Sequence, residues 1–512
     1  MNKRIVIIGG GVVGLATAWE LIKRGHQVQL LERNAEPGSA TSFANGGQLS
    51  YRYVAPLADS GVPLQGMKWM GKADSPLNMR LRMSLQQWRW LLQFLRACNN
   101  QTNKMNGDHI LRLSLLSRQV MQAWRDEDNL ADFHWRRSGK LIIHRREYDF
   151  NKAAKGIDPQ YQQALNAEAC LQLEPALKHI SPSLQGGIYS PGDETADCHQ
   201  FCLALLDKLN ASSDFSLLTQ CEVRRLNKLG GRISSLETSQ GPLTGDEYVV
   251  AAGNGSGSLL GHLGVRVPLC GLKGYSLTLP YPEKAGIAPD ISVTDYGHKI
   301  VYARLGQQLR IAAMVDIGYD GDELRESRIQ ALKNIVARSF PELEGLDEAE
   351  VWTGMRPSTP AGPPMLGRAG YPNLWMNLGQ GSLGFTLAAG SAVVLELFGM
   401  SVGTSVAVIN YISRIFAPIE SLGMEVQTIQ SAMAGVKRID AFLAQPEREI
   451  SAQRTRAARG DVELSHVTFG YGEKHVLNDF SMTVKQGEQV TLIGRTGAGK
   501  STVFKLLLGL YP

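Results

Sequence analysis

The period of the apolar residues changes along the chain, and each change marks an element. Arg4–Ile8 is a short β-branched run of the kind that fills a buried parallel strand. Val12–Lys23 then carries apolar residues at helical spacing, and Gln27–Leu31 returns to a strand. A further short apolar strand ends at Val250, and residues 385–397 read as a helix opened by a glycine-rich turn. From residue 398 the pattern changes character. Residues 401–422 are apolar but interrupted by Asn410 and Arg414, so the uncharged length falls short of the roughly 20 residues that a spanning helix requires. From Asp461 the pattern alternates as strands do, until Thr491 to Ile493 leads into a second glycine-rich loop and a last helix.

The turn between the first strand and helix is Gly9-Gly10-Gly11-Val12-Val13-Gly14, and its setting gives it chemistry. Gly9 permits a tight turn, Gly11 lets the backbone approach a pyrophosphate, and Gly14 lets the helix pack closely on the strand. The helix N-terminus then offers amide hydrogens and partial positive charge to phosphates. The next strand ends in Glu32, followed by Arg33. A carboxylate there can accept from a ribose 2′-hydroxyl, which favours FAD or NAD over NADP. Downstream, a small-residue loop carries Ser42, Asn45, Gly46, Gly47 and Gln48. Ala252 and Gly253 repeat the strand-into-glycine pattern, and Gly379, Gly381, Ser382, Leu383 and Gly384 repeat it again. Three separated glycine-rich elements suit a long flavin cofactor better than a nicotinamide one. Val223 and Gly354 complete the expected cofactor-binding set.

Composition narrows the class. A chain of 512 residues can bury two or three cores, so several domains are expected. The net charge of +5 is small and the basic residues are scattered, which gives no reason to expect nucleic acid as a partner. The six cysteines lack metal-site spacing, so no metal is expected and free thiols in a reducing compartment are. The apolar run after Met1 carries glycines at phosphate-binding spacing and no clean cleavage site, so it reads as mature protein and not as a secretory signal.

Residues 1 to about 397 resemble the small subunits of bacterial D-amino acid dehydrogenases, within the wider family of FAD-dependent amine oxidoreductases that includes glycine and sarcosine oxidases. The resemblance is carried by the Gly9 turn, residues 41–50, 191–198, 272–278 and 352–360, and 373–384, in the family's order. It implies an α/β body: a Rossmann-like FAD-binding part at about 1–90, 190–255 and 350–397, and a mixed-sheet substrate part at about 91–189 and 256–349. It also implies oxidation of a D-amino acid to an imino acid, which water hydrolyses to a 2-oxo acid and ammonia, with hydride passing from the substrate Cα to flavin N5. The protein then has mainly to orient that C–H bond and exclude water. A respiratory electron acceptor, quinone or carrier, is implied, with the protein cytoplasmic and peripheral to or anchored in the inner membrane.

In the family's Gly-x-Arg-Pro pattern the matching arginine grips the substrate carboxylate, a role that falls here on Arg356. Tyr275 is expected to bond the same carboxylate or cover the flavin face. Lys273 is weighed as a cofactor contact, and Asp193 and Glu194 as contacts to the substrate ammonium or as members of a capped turn. Two departures bear on the substrate. Ala361 stands where relatives usually carry an aspartate, and Gln380 where a histidine is common. Flavin chemistry on another small amine of glycine, sarcosine or hydroxyproline type is therefore the alternative.

The remainder resembles a different family. Residues 399–450 resemble the last transmembrane helix of an ABC exporter and its linker. Residues 460–512 resemble the start of an ABC ATP-binding domain, a partial P-loop α/β domain. Tyr471 is expected to stack on adenine. Gly494, Gly497 and Gly499 are expected to surround phosphates, Lys500 to reach the β and γ groups, and Ser501 or Thr502 to hold Mg²⁺. The acidic strand end and the signature loop are missing from this stretch, so the expectation is an inert tail that would need a partner domain for ATP hydrolysis. The competing expectation is an ATP-binding fragment with a vestigial flavoprotein body.

Overall fold

The computed structural model describes residues 2–69, 74–319, 321, 323–397 and 460–511 apart from 473 and 496, with a few positions between 433 and 444. Two compact units result, Met1–Pro418 and Ile419–Pro512.

The first unit is built on two sheets. One has six strands in the order Met365–Arg368, Leu374–Leu378, Glu247–Val250, Arg4–Ile8, Gln27–Leu31, Phe215–Leu218. All its pairings are parallel except the hairpin edge, where Met365–Arg368 runs against Leu374–Leu378. The buried run of Arg4–Ile8 is explained by this central place, since both faces of a parallel sheet are covered. Helices Val12–Lys23, Cys198–Asn210 and Gly384–Leu397 fill one face around Leu15, Phe201 and Ala388. Leu226, Leu236 and Leu260 close the other, from a small three-stranded sheet and helix Ser256–Gly261.

The second sheet is mixed and has nine strands. Its order is Glu350–Ser358, Cys270–Pro280, Gln308–Ile317, Ile300–Leu305, Ser292–Asp295, Lys140–His144, Gly186–Ser190, Gln163–Asn166, with Leu77–Met79 beside Gln308–Ile317. Helix Glu326–Ser339 packs Leu332 and Val336 on one face, against Leu277 and Ile311. The other face fronts a cleft. Glu350–Ser358, expected with the FAD-binding part, pairs instead along Cys270–Pro280, and Leu77–Met79 likewise joins this sheet. The boundaries at 90 and 350 therefore shift, because strand pairing, which the local pattern does not encode, decides which sheet a strand enters.

In the second unit Val462–Tyr471 and Lys474–Val484 form an antiparallel hairpin, and Lys500–Leu507 is a helix. Thr491 to Ile493, expected as a strand, is not one. No neighbouring strand among the described residues completes its hydrogen bonds, and Ile493 is 92 % exposed. The expected transmembrane-helix remnant at 399–432 lies outside the described residues. No helix among the described residues is long and apolar enough to cross a membrane.

Candidate active site

The glycine-rich turn does what its spacing demands. Gly9 has φ +111°, and a Cβ on it would meet the Ala251 carbonyl oxygen at 2.6 Å, which only glycine avoids. A Cβ on Gly14 would lie 1.9 Å from the Gly9 carbonyl oxygen, so the helix packs on the strand without side-chain space between them. No side chain caps the helix at Gly11. The Gly10 amide donates to Glu32 Oε2 at 2.8 Å and the Val12 amide to Ser42 Oγ at 3.0 Å. Glu32 Oε1 accepts from the Asn34 amide at 2.8 Å. The buried carboxylate is thus fixed at the strand end, with lone pairs left for hydroxyl donors.

These elements share one cleft of about 1950 Å³. Gly9, Gly11, Val12, Val13, Glu32, Arg33, Ser42, Asn45, Gly46, Gly47, Gln48 and Val223 line it, as do Ala252, Gly253, Gly354, Gly381, Ser382, Leu383 and Gly384. Gly14 and Gly379 stand behind the wall. The second is a packing position, where φ is +87° and a Cβ would meet Thr359 Cγ2 at 2.7 Å. Gln380 lines the cleft too, held by a 2.6 Å bond from its Nε2 to Asn377 Oδ1.

Arg356 projects from the mixed sheet into the same cleft. Its guanidinium lies across Gly274, where a Cβ would stand 2.3 Å from Nη2. Nη1 donates to the Met314 carbonyl at 3.1 Å. Met314 has φ +65°, a strained conformation for a non-glycine residue, and its strand shifts register against Lys273 and Tyr275 at that level. No carboxylate pairs with Arg356 among the described residues, and burial lowers its pKa to about 10. A guanidinium at a cleft wall, without a carboxylate partner among the described residues, has the charge and geometry to take an anion.

The other expected contacts separate. Tyr275 lines the cleft with its ring, but its hydroxyl donates to Asp316 Oδ2 at 2.8 Å, where Asp316 also pairs with Arg325 at 2.6 Å and Arg328 at 2.9 Å. Burial, then that carboxylate, pushes the Tyr275 pKa up. Lys273 donates to the carbonyls of Gly321 and Glu323 and does not line the cleft. Asp193 accepts from the Tyr51 amide at 3.0 Å, while Glu194 accepts from Tyr51 Oη at 3.0 Å and Trp135 Nε1 at 2.9 Å. Both carboxylates serve a buried network and neither lines the cleft. The Ala361 carbonyl accepts from Asn106 Nδ2 at 3.0 Å.

Sequence reasoning missed a row of lining residues. Register aligns Ala312, Val301, Thr294, Ile142 and Ile188 across five strands, all facing the cleft. Beyond them lie Lys140, His144, Tyr296 and Lys299. Burial lowers the pKa of Lys140 and of Lys299 to about 8. Both ring nitrogens of His144 and Thr294 Oγ1 are buried without a hydrogen-bond partner among the described residues. No local motif marks these positions, since five strands and the turn after Asp295 supply them.

In the second unit, Lys500 Nζ donates to the Gly494 and Arg495 carbonyls at 2.6 and 2.9 Å. Gly497 and Gly499 adopt positive φ, as a P-loop requires. Ser501 is exposed at the start of the helix and Thr502 is buried beside it. Tyr471 packs edge-on against Phe469 and Tyr511.

A strand-turn-helix cradle at the parallel sheet, facing a mixed sheet across one cleft, has the form of a dinucleotide-dependent oxidoreductase. Comparison with known proteins gives the class its family. Residues 4–396 match the family of FAD dependent oxidoreductases, and the chain belongs to it. "D-amino acid dehydrogenase 2" of Pseudomonas aeruginosa is 49 % identical over 397 residues, 77 % of this chain and 94 % of that protein. The protein of the same description from Ralstonia nicotianae is 42 % identical over 77 % of this chain and 95 % of its own length. The fold also matches glycine oxidase from Geobacillus kaustophilus, with TM-score 0.58 and 21 % identity over 77 % of this chain and 93 % of that one. Residues 477–512 match the ABC transporter family.

Proposed function

We propose that this protein oxidises D-amino acids to 2-oxo acids and ammonia with FAD, the amino acid's carboxylate held by Arg356. The observation that carries this reading is the half-buried Arg356 guanidinium, without a carboxylate partner among the described residues, in the cleft that all three glycine-rich stretches share. Bound FAD supplies a hydride acceptor beside the substrate Cα. Gly11 to Val13 and Glu32 hold the pyrophosphate and ribose ends, and residues 45–48 with 381–384 hold the ring system. Arg356 orients the substrate by a two-pronged grip on its carboxylate, and the Met314 carbonyl fixes the fork. Tyr275 is a wall of the site, its hydroxyl occupied by Asp316. Ala312, Val301 and Ile142 keep water from the reacting C–H bond. Electrons leave to a respiratory quinone or carrier at the inner membrane. The second unit is an inert tail in this reading, its P-loop with Ser501 and Thr502 a vestigial phosphate and Mg²⁺ site that would need a partner domain for ATP hydrolysis.

The test is Arg356→Met. Hydrogen bonds to a charged group contribute about 1.5–3 kcal/mol each, so KM for a D-amino acid should rise on the order of a hundredfold with flavin still bound. Unchanged KM would remove Arg356 from the site. A purified protein without flavin absorbance, or one whose absorbance no D-amino acid bleaches in the absence of air, would overturn the reading itself.

A further inference from the structure

Helix Leu85–Ala97 is apolar on two faces. Its inward face, with Trp90, Leu91, Phe94 and Ala97, is buried in a small core. Its outward face carries Leu85, Trp88, Leu92 and Leu95, exposed by 76, 46, 54 and 52 %. Those positions follow helical spacing and form one stripe about 15 Å long. The segment leading into the helix adds Leu81 at 56 % and a fully exposed Met83, and the nearby helix Val62–Trp69 adds Leu64 at 65 %. A helix on the surface of a globular protein normally places charged and polar groups on its outer face. A contiguous apolar patch of this kind marks an interaction site.

Charge decides what kind of partner fits. No aspartate or glutamate occurs from Ser75 to Gly107, while Arg80, Arg82, Arg89, Arg96 and Lys104 do. Arg89 and Arg96 lie on the exposed side of the helix itself. Leucine and tryptophan in a stripe, with Arg89 and Arg96 exposed on the same helix and no carboxylate on it, match an anionic lipid surface, where apolar side chains sink below the headgroups and arginines pair with phosphates.

We infer that this face docks the protein onto an anionic bilayer. The inward side of the same helix has a direct bearing on the redox site, because Trp90 and Phe94 line the cleft that Arg356 lines. Docking therefore sets the cleft about one helix diameter, about 10 Å, from the lipid surface. A lipid-dissolved acceptor then reaches the cleft without entering bulk water. That last step rests on the proposed redox function; the docking surface does not.

Flotation of the full-length protein with phosphatidylcholine vesicles, with and without phosphatidylglycerol, tests the surface. Binding is expected to the phosphatidylglycerol vesicles, to weaken with salt, and to be slight on phosphatidylcholine alone. Leu85→Gln with Leu92→Gln should lower the partition at least tenfold, and Arg89→Ala with Arg96→Ala should weaken binding to the anionic vesicles only. Far-UV circular dichroism and turnover with a water-soluble dye acceptor should be unchanged in both, since these side chains neither line the cleft nor enter the core. Absence of flotation with phosphatidylglycerol, or flotation unaltered in both double variants, overturns the inference. So does a concentration-dependent dimer that the leucine pair abolishes while vesicles fail to bind, which would assign the stripe to a second copy of this chain. Vesicle binding by a protein without dye-linked turnover would support the docking face and sink the redox reading.

Discussion

Gly274→Ala isolates the positioning of Arg356 from its charge. Gly274 pairs with Gly354 across two strands of the mixed sheet, and the guanidinium lies over it. An added methyl would stand 2.3 Å from Arg356 Nη2 and 2.5 Å from Cζ. Carbon atoms settle at about 3.5 Å or more, so the fork must move by about 1 Å. The clash is with the free end of a flexible side chain and not with backbone, so the fold should lose only about 1 kcal/mol, the low end of an overpacking cost. Catalysis is less tolerant, since a displacement of about 1 Å in a positioning group can cost on the order of a hundredfold. The expected result is kcat/KM for a D-amino acid lowered by about 10- to 100-fold, with flavin absorbance and thermal midpoint close to the parent. Anaerobic dye-linked turnover, a flavin spectrum and a thermal melt measure the three quantities. Unchanged kcat/KM with flavin bound would refute the claim that the fork lies on Gly274 to grip the substrate.

Gly14→Ala should abolish flavin binding or soluble expression, because the added atom meets the Gly9 backbone at 1.9 Å and neither partner is free to yield; a flavin-replete variant would show that the turn relaxes. Asp295 is buried, and although burial alone would raise its pKa, the His298 hydrogen bond and the Arg145 guanidinium win and hold it at about 2, against 3.8 for the free side chain. A folded-state pKa below the unfolded value means stability that is present above pH 4 and lost as pH falls through 2. Asp295→Asn should therefore cost about 2 kcal/mol at pH 7 and roughly half of that at pH 3, read from urea midpoints at the two pH values; an equal cost at both would discard the ion-pair account. A chain ended at Pro418 should keep its flavin and its dye-linked turnover, since every cleft residue lies before that point; loss of flavin would make the second unit structural.

The FAD-binding end of the site was legible because its constraints are local. Gly9, Gly14 and Glu32 are dictated by one turn, one helix contact and one strand end, and the structure finds each where strand-turn-helix geometry requires it. On the mixed sheet, Arg356 and Tyr275 were singled out by the residues around them, and both line the cleft. Lys140, His144, Thr294 and Lys299 carry no signature of their own, and it took the pairing of Lys140–His144 with Ser292–Asp295, and the turn that follows, to bring them together. Tyr275 and Lys273 show the converse, since neighbours in sequence gave no sign that Asp316 and the 321–323 carbonyls would take their polar groups.

By itself the sequence determined two nucleotide-binding turns, the elements that flank them and the change of family near residue 398, all of which follow from short-range periodicity and backbone sterics. Tertiary structure alone decided that Glu350–Ser358 belongs to the mixed sheet, that Arg356 lies over Gly274 without a carboxylate partner among the described residues, and that the outer stripe of Leu85–Ala97 is exposed. The physical reason is common to all three. Strand partners, the charge environment of a cation at a cleft wall and the covering of an apolar face are set by segments distant in the chain, as Cys270–Pro280 is from Glu350–Ser358, and pattern within a window carries no record of them.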